Sequence, residues 1–314
     1  MKMEKNAAIY IAGSHGVAGS AIARMLKKEG YENLLLPTHN ELDLRDQDSV
    51  EAFFSEKKPE YVFFAAVKMG SVVYRREHPA EILSDNLLMQ TNVLRAAHEH
   101  GVKKLLFMSS DFVYPDTEDG VLREEDLLSG PLGEKDLPYK LAKLAGIKLC
   151  DFYREQYGDD FFTVVPCAFF GENSSFEPQR ASVVCSLIQR FDEAKRMGAK
   201  ELVLWGSGKP VKEFLLSDDI ASACLCLMEK HTGGGIVNIG SGDGGTSILQ
   251  AAQVIRSVVG FAGEIGFDLS KPDGVMRRVM DSSRLRALGW QPAYCFEEAV
   301  QRTYQYFMKT EAGR

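Results

Sequence analysis

Little in this chain marks it for a charged polymer or a membrane. Its 37 Lys and Arg residues form no long basic run, and against 44 Asp and Glu they leave a formal net charge of −7. A polyanion would meet no basic footprint, so nucleic acid is not an expected partner. No apolar run approaches the roughly 18 residues that span a bilayer. The start, Met1-Lys2-Met3-Glu4-Lys5-Asn6, leads straight into a strand-like segment rather than a signal peptide. A cytoplasmic protein without a membrane partner is the expectation. Cysteine is sparse too: Cys150, Cys167, Cys185, Cys224, Cys226 and Cys295 are the six in 314 residues, and none forms a C-x-x-C pair. That density falls far short of a disulfide scaffold. The cysteines are expected to be reduced, mostly buried small hydrophobes, and no metal site is expected.

What remains is the composition of an ordinary globular enzyme, 45% hydrophobic and 26% charged. From residue 8 to about 165, apolar runs alternate with helix-like stretches. The runs are Ala8 to Ala12, Leu34 to Leu36, Tyr61 to Ala66, Lys104 to Ser109 and Phe162 to Val165; the helix candidates are Gly19 to Gly30, Asp48 to Glu56, Pro79 to His100 and Tyr139 to Tyr157. Continuous apolar strands separated by helices predict an α/β fold, a doubly wound parallel sheet of the Rossmann type. After Pro166 the pattern is irregular, with a helix from about Ser182 to Arg196 and a strand at Glu201 to Trp205, and suggests a smaller α/β substrate-binding lobe. The helix Asp218 to His231 and the strand Ile236 to Ile239 return to the main sheet. The division expected is residues 1–165 plus about 214–244 for the dinucleotide, and about 166–213 plus 245–314 for the substrate. No internal repeat or low-complexity linker interrupts it.

Directly after the first strand comes Gly13-Ser14-His15-Gly16-Val17-Ala18-Gly19, a G-x-x-G-x-x-G spacing that opens a helix. Glycines there allow a tight turn, close approach of backbone to a pyrophosphate and close helix packing, while the helix N-terminus offers aligned N–H groups to phosphates. An NAD-selective site usually carries an acidic residue at the end of the second strand, and this one ends Leu36-Pro37-Thr38-His39-Asn40. NADP is therefore favoured, with NADH not excluded. No arginine stands there for a 2′-phosphate; His15 and His39 are the nearest positive candidates, and Asp43 and Leu44 would border the adenine.

Tyr139 and Lys143 are four residues apart and share one face of a helix. A lysine ammonium beside a phenol lowers its pKa, making Tyr139 a usable proton donor to a carbonyl oxygen, and Ser110 at a strand end can hydrogen-bond the same oxygen. Together with the glycine loop these three residues predict hydride-transfer chemistry.

The chain thus resembles the extended short-chain dehydrogenase/reductase family, and within it the GDP-4-keto-6-deoxymannose epimerase/reductases, the GDP-L-fucose synthases. The resemblance is carried by Ile11-Ala12-Gly13 through Ala21-Ile22, Ala142-Lys143-Leu144-Ala145-Gly146, Trp205-Gly206-Ser207-Gly208, Glu213-Phe214-Leu215, Ser270-Lys271-Pro272-Asp273-Gly274 and Leu288-Gly289-Trp290, which span nearly the whole chain. It implies a GDP-linked 4-keto sugar as substrate, in a deoxy or heptose form, and a homodimer formed through the helices carrying Asn86 and Tyr139. It places the cofactor along Gly13, His15, Gly16, Val17 and Gly19, at His39, Asp43 and Leu44, at the strand ends Ala65, Ala66, Ser109 and Pro166, and beside Asn86, Tyr139 and Lys143. The substrate would meet Ser110, Asp111, Phe112, Ser182, Arg190, Trp205 and Lys212.

Departures from that family matter as much. Its members invert C3 and C5 with a cysteine and a histidine, at positions that here hold Phe112 and Ser182. Phenylalanine moves no proton, and serine is a poor acid or base without an activating partner. None of the six histidines falls between residues 101 and 230. Asp111, beside Phe112 on what reads as an extended strand end, and Cys185, one turn beyond Ser182, are the candidates for rescue. In the related sugar 4,6-dehydratases an Asp-Glu pair occupies the positions of Asp111 and Phe112, so dehydration also lacks its base. The family's P-T-N segment reads Pro166-Cys167-Ala168, and its diphosphate-gripping arginine is Lys212, which cannot bind bidentately. A C4 reductase without epimerase activity is the expectation. The bifunctional epimerase/reductase, a 4-epimerase recycling bound NAD and a non-catalytic nucleotide sensor are its competitors.

Overall fold

Apolar runs without polar interruption suit strands covered on both faces. In the computed structural model, which describes residues 3–70, 72–117 and 119–312, every residue of β1 (Ile9–Ala12), β3 (Tyr61–Phe64), β4 (Lys104–Met108), β6 (Phe161–Pro166) and β11 (Ile236–Ile239) is buried. The remaining elements of the first half are α1 (Val17–Lys28), β2 (Leu34–Leu35), α2 (Gln47–Lys57), α3 (Val72–Glu77), α4 (Pro79–Glu99), β5 (Val121–Leu122) and α5 (Leu137–Tyr157). Beyond β6 come β7 (Ala168–Phe170), α6 (Val183–Arg196), β8 (Glu201–Trp205), β9 (Val211–Lys212), β10 (Phe214–Leu216) and α7 (Ser217–Lys230). After β11 the chain forms β12 (Thr246–Ser247), α8 (Ile248–Val259), β13 (Glu264–Asp268), β14 (Arg277–Met280), α9 (Ser283–Ala287) and α10 (Phe296–Ala312).

Six of these strands make one parallel sheet in the order β11-β6-β4-β3-β1-β2. From β1 the chain moves outward to β2 and then crosses back to β3 on the other side, so the order reverses between β1 and β3. A crevice opens outside the carboxyl ends of the strands at such a switch point, and it is where this class of sheet takes its ligand. Lys104, the one charged residue within the buried strands named above, sends Nζ to the Met228 carbonyl at 3.0 Å, where the C-terminal end of α7 favours a cation.

A second core gathers Phe170, Phe191 and Ile188 with Ala251 and Ile255 of α8 and Val300 and Phe307 of α10. Two small sheets, β13-β8 and β10-β7, frame it, while β12-β9-β14-β5 joins the first core through Leu122 and Met280. Met280, Leu285 and Trp290, late in the chain, pack in the first core rather than the second. The buried Glu213 stitches these crossings together. Its Oε2 accepts from the Met280 N–H at 2.7 Å and its Oε1 from Ser241 Oγ at 2.9 Å and the Gly242 N–H at 3.1 Å. Burial pushes its carboxyl pKa up, and those donors hold it down.

Candidate active site

The glycine loop fills the switch-point crevice for steric reasons. Gly13 has φ +81°, a conformation open to glycine, and a Cβ there would stand 2.8 Å from the Ala66 Cα and N at the end of β3. A Cβ at Gly19 would meet the Gly13 carbonyl oxygen at 2.1 Å, so only a hydrogen lets α1 start this close to the turn. No side chain caps the N-terminus of α1 and its first turn has no acidic residue, which leaves its N–H groups and dipole facing the crevice. The cleft, about 520 Å³, is lined by Gly13, His15, Gly16, His39, Leu44, Ala65 and Ala66 among the predicted positions. Val17 and Gly19 lie just behind it in α1. Just beyond β4, Ser109 Oγ is buried with no hydrogen-bond partner among the described residues. An uncapped helix end, a backbone cradle and an orphaned hydroxyl together fit a dinucleotide.

Four further residues on this wall, Arg45, Lys68, Asp85 and Met89, escaped the sequence reading. Arg45, ten residues beyond β2, brings an arginine to the cleft that the strand end itself lacks. Its guanidinium binds Asp43 at 2.6 Å and reaches Asp85 at 3.3 Å, and the Asp43 carboxyl falls to about 2 chiefly through that hydrogen bond. Lys68 Nζ pairs with the same Asp85 at 2.6 Å. An acid does stand at the turn after β2, at Glu41, but its Oε2 accepts from the Thr38 N–H at 2.7 Å and from Thr38 Oγ1 at 2.8 Å. His15 and His39 remain exposed at the mouth. Asn86 shapes the wall: its amide donates to the Lys68 and Ile82 carbonyls at 2.7 and 2.6 Å and accepts from the Lys68 N–H at 3.0 Å. A chain of charges spread over three segments has no single sequence signature, which is why it was missed.

The catalytic helix α5 can lie close to the sheet because position 146 is glycine; a Cβ there would stand 2.3 Å from Phe107 Cζ. Gln90 of α4 pins it with a bond to the Ala142 carbonyl at 2.8 Å. Tyr139 and Lys143 are both buried at the end of β4, Tyr139 against Ser110 and Lys143 against Met108. Burial pushes the Tyr139 phenol above its ordinary value, and the Ser110 hydroxyl is the largest influence pulling it down. Lys143, expected to act on that phenol, also meets the sheet. Its Nζ donates to the Met108 carbonyl at 2.8 Å and lies 4.9 Å from the Phe107 ring centre, and burial lowers its pKa to about 7.

Ser110 is followed not by extended chain but by a single 3-10 turn, Asp111–Val113, whose Phe112 N–H it accepts at 3.3 Å. The turn aims Phe112 at the site: its ring stands edge-on to Tyr139, centroids 6.2 Å apart at 86°. Asp111 turns instead to Arg278 of β14, with Oδ2 accepting from Nε at 3.0 Å. Arg278 was missed by sequence, and it neutralises the nearest candidate base. Lys212 stands beside it in register across β9 and β14. Burial lowers the Lys212 pKa while Asp111 opposes the shift.

The two candidates at the start of α6 are both engaged in its packing. Ser182 caps the helix, accepting from the Cys185 N–H at 3.4 Å, and Cys185 is fully buried in the second core with its thiol pushed up. Arg190 donates to the Val203 carbonyl at 2.6 Å, and burial lowers its pKa. Trp205 is 71% exposed, with Lys271 over its ring at 5.7 Å, so it is not a core residue. Cys150, Cys167 and Cys224 are buried like Cys185, whereas Cys226 is half-buried and Cys295 exposed.

Residues 9–240 match the NAD dependent epimerase/dehydratase family. The chain belongs to that family. Among characterised relatives, GDP-L-fucose synthase 1 of Arabidopsis thaliana is 44% identical over 311 residues, covering 99% of this chain and 96% of that protein. Two solved structures share the whole fold. One is a GDP-6-OMe-4-keto-L-xylo-heptose reductase from C. jejuni, with TM-score 0.89, 32% identity and coverage of 99% and 100%. The other is a GDP-mannoheptose C4 reductase from Campylobacter jejuni with NADP bound, with TM-score 0.87, 34% identity and coverage of 98% and 99%. This chain is accordingly an NAD(P)-dependent oxidoreductase. Among its described residues no helix is long and apolar enough to cross a membrane.

Proposed function

We propose that this protein is an NADPH-dependent reductase of the C4 carbonyl of a GDP-linked 4-keto sugar, without C3/C5 epimerase activity. The observation that carries the second half is Phe112: an inert ring stands edge-on to Tyr139, at the place where ring inversion would need a proton carrier. Ser182 is engaged as a helix cap, Cys185 is sealed in a core, and Asp111 is paired with Arg278. GDP-sugar reductases and synthases among the relatives support the substrate class.

NADPH supplies a hydride when bound. Ser110 holds the carbonyl oxygen, and Tyr139 delivers the proton to the oxygen that becomes an alcohol. Lys143, fixed between Met108 and the Phe107 ring, orients the cofactor ribose and the helix face that carries Tyr139. Arg278, Lys212 and Arg190 give the substrate side its positive charge. Residues 1–165 with 214–244 bind the dinucleotide, the remainder holds the nucleotide sugar, and the protein works as a cytoplasmic homodimer.

The test is NMR of the product formed with NADPH in deuterated water. Reduction at C4 with protium retained at C3 and C5 is expected. Deuterium at either carbon would restore the bifunctional reading, which the identity to a GDP-L-fucose synthase favours.

A further inference from the structure

Between β3 and α4 the chain runs from the cofactor cleft towards the catalytic helix. Its near end is fixed: Ala65, Ala66 and Lys68 line the cleft, and Asn86 grips the Lys68 backbone on both sides. Its far end is tied to α4 by Tyr74, which donates to Glu81 Oε2 at 2.6 Å, and to α5 by Arg75. Arg75 of α3 sends Nε to Asp136 Oδ1 at 2.7 Å and Nη2 to Oδ2 at 3.5 Å, while Nη1 turns back to the Gly70 carbonyl at 3.1 Å. Both side chains are nearly enclosed, 12% and 11% exposed. A pair so shielded from water is far costlier to break from one side than a surface pair.

Asp136 caps α5 from an unusual backbone. Its φ is +57°, a left-handed conformation that costs a non-glycine residue about 1 kcal/mol or more and persists where the surroundings impose it. Its carbonyl accepts the first helical bond, from the Lys140 N–H at 3.1 Å, and Tyr139 follows three residues later. The ion pair therefore joins the cleft wall to the turn from which the proton donor projects.

We propose that the Arg75–Asp136 pair is a positioning latch, clamping the segment after β3 to the first turn of α5 and setting the place and charge environment of Tyr139. Its catalytic consequence rests on Tyr139 acting as the proton donor; the latch itself does not. The groups facing that phenol are Ser110 and Asp111 after β4, Arg75 from α3 and Asp136 at the start of its own helix. Burial raises the phenol most, the Ser110 hydroxyl opposes it, Asp111 and Asp136 add to the rise, and Arg75 lowers it.

Both halves hold Tyr139 in place, so the readout is kcat against KM. Arg75→Met and Asp136→Asn should each lower kcat about tenfold with the KM for NADPH little changed, because a misplaced proton donor slows the chemical step and leaves the dinucleotide cleft intact. Arg75→Lys, which keeps the charge, should restore part of that loss. An unchanged kcat, or a loss confined to KM, would overturn the positioning role. Hydrogen exchange on the substrate-free protein tests the clamp separately. Arg75→Met should speed exchange both in α3 and in the first turn of α5, and faster exchange in only one of them overturns the latch. Coupled exchange in a protein that reduces no GDP-4-keto sugar would support the latch and sink the proposed function instead.

Discussion

Lys143 shows how a residue's surroundings set its charge. Its ammonium is fully enclosed, and burial sets its folded pKa near 7 against an ordinary 10.5. Above pH 10.5 both folded and unfolded forms are neutral and nothing is lost; below 7 both are charged and the folded form carries the full desolvation cost. The protein should therefore lose stability as pH falls from about 10.5 to 7, by up to roughly 1.4 kcal/mol per unit. Lys143→Met is expected to flatten that slope and raise the melting temperature of the cofactor-free protein at neutral pH, while abolishing reduction. An unchanged slope in a melting series across this range would show that the amine keeps its ordinary pKa. The sequence spacing revealed that Tyr139 and Lys143 share a face, but not that the lysine would turn to the Met108 carbonyl, since that depends on β4 lying under the helix.

At the scale of elements, the turn between β1 and α1 is the tightest packing in the site. Gly19→Ala puts a methyl carbon 2.1 Å from the Gly13 carbonyl, so α1 must retreat from the turn. A stability loss of about 1–3 kcal/mol is expected from overpacking, with a larger proportional loss of NADPH affinity because the helix end faces the pyrophosphate. Titration of NADPH fluorescence measures the second effect, and equal losses in stability and binding would argue against a phosphate site there. This turn was legible in the sequence because its glycines recur every third residue within one short stretch between a strand and a helix. The 3-10 turn at Asp111–Val113 was not, for an apolar strand end gives no sign of where it stops. Arg278 and Arg75 were hidden for another reason: each meets its carboxylate across 167 and 61 residues, and no local pattern encodes such a pairing.

Over the whole molecule, the parallel sheet and its return strand β11 follow from hydrophobic runs that need cover on both faces, whereas the small sheets of two to four strands outside it left no comparable pattern. The outward side of α4 and α5 carries Leu88, Leu141 and Phe152, exposed by 47%, 41% and 56%. The proposed homodimer would bury them. Leu141→Glu with Phe152→Glu should give a monomer of unchanged circular dichroism in analytical ultracentrifugation, and a wild-type chain that already sediments as a monomer would dispose of the interface. At this scale Phe112 also has a consequence for stereochemistry. On the proposed reduction without epimerisation, the enzyme writes configuration at one carbon only and copies the rest. Every other centre of the product sugar is inherited from whatever reaction made the ketone, so a mixture of epimers offered to it would leave as the corresponding mixture of alcohols.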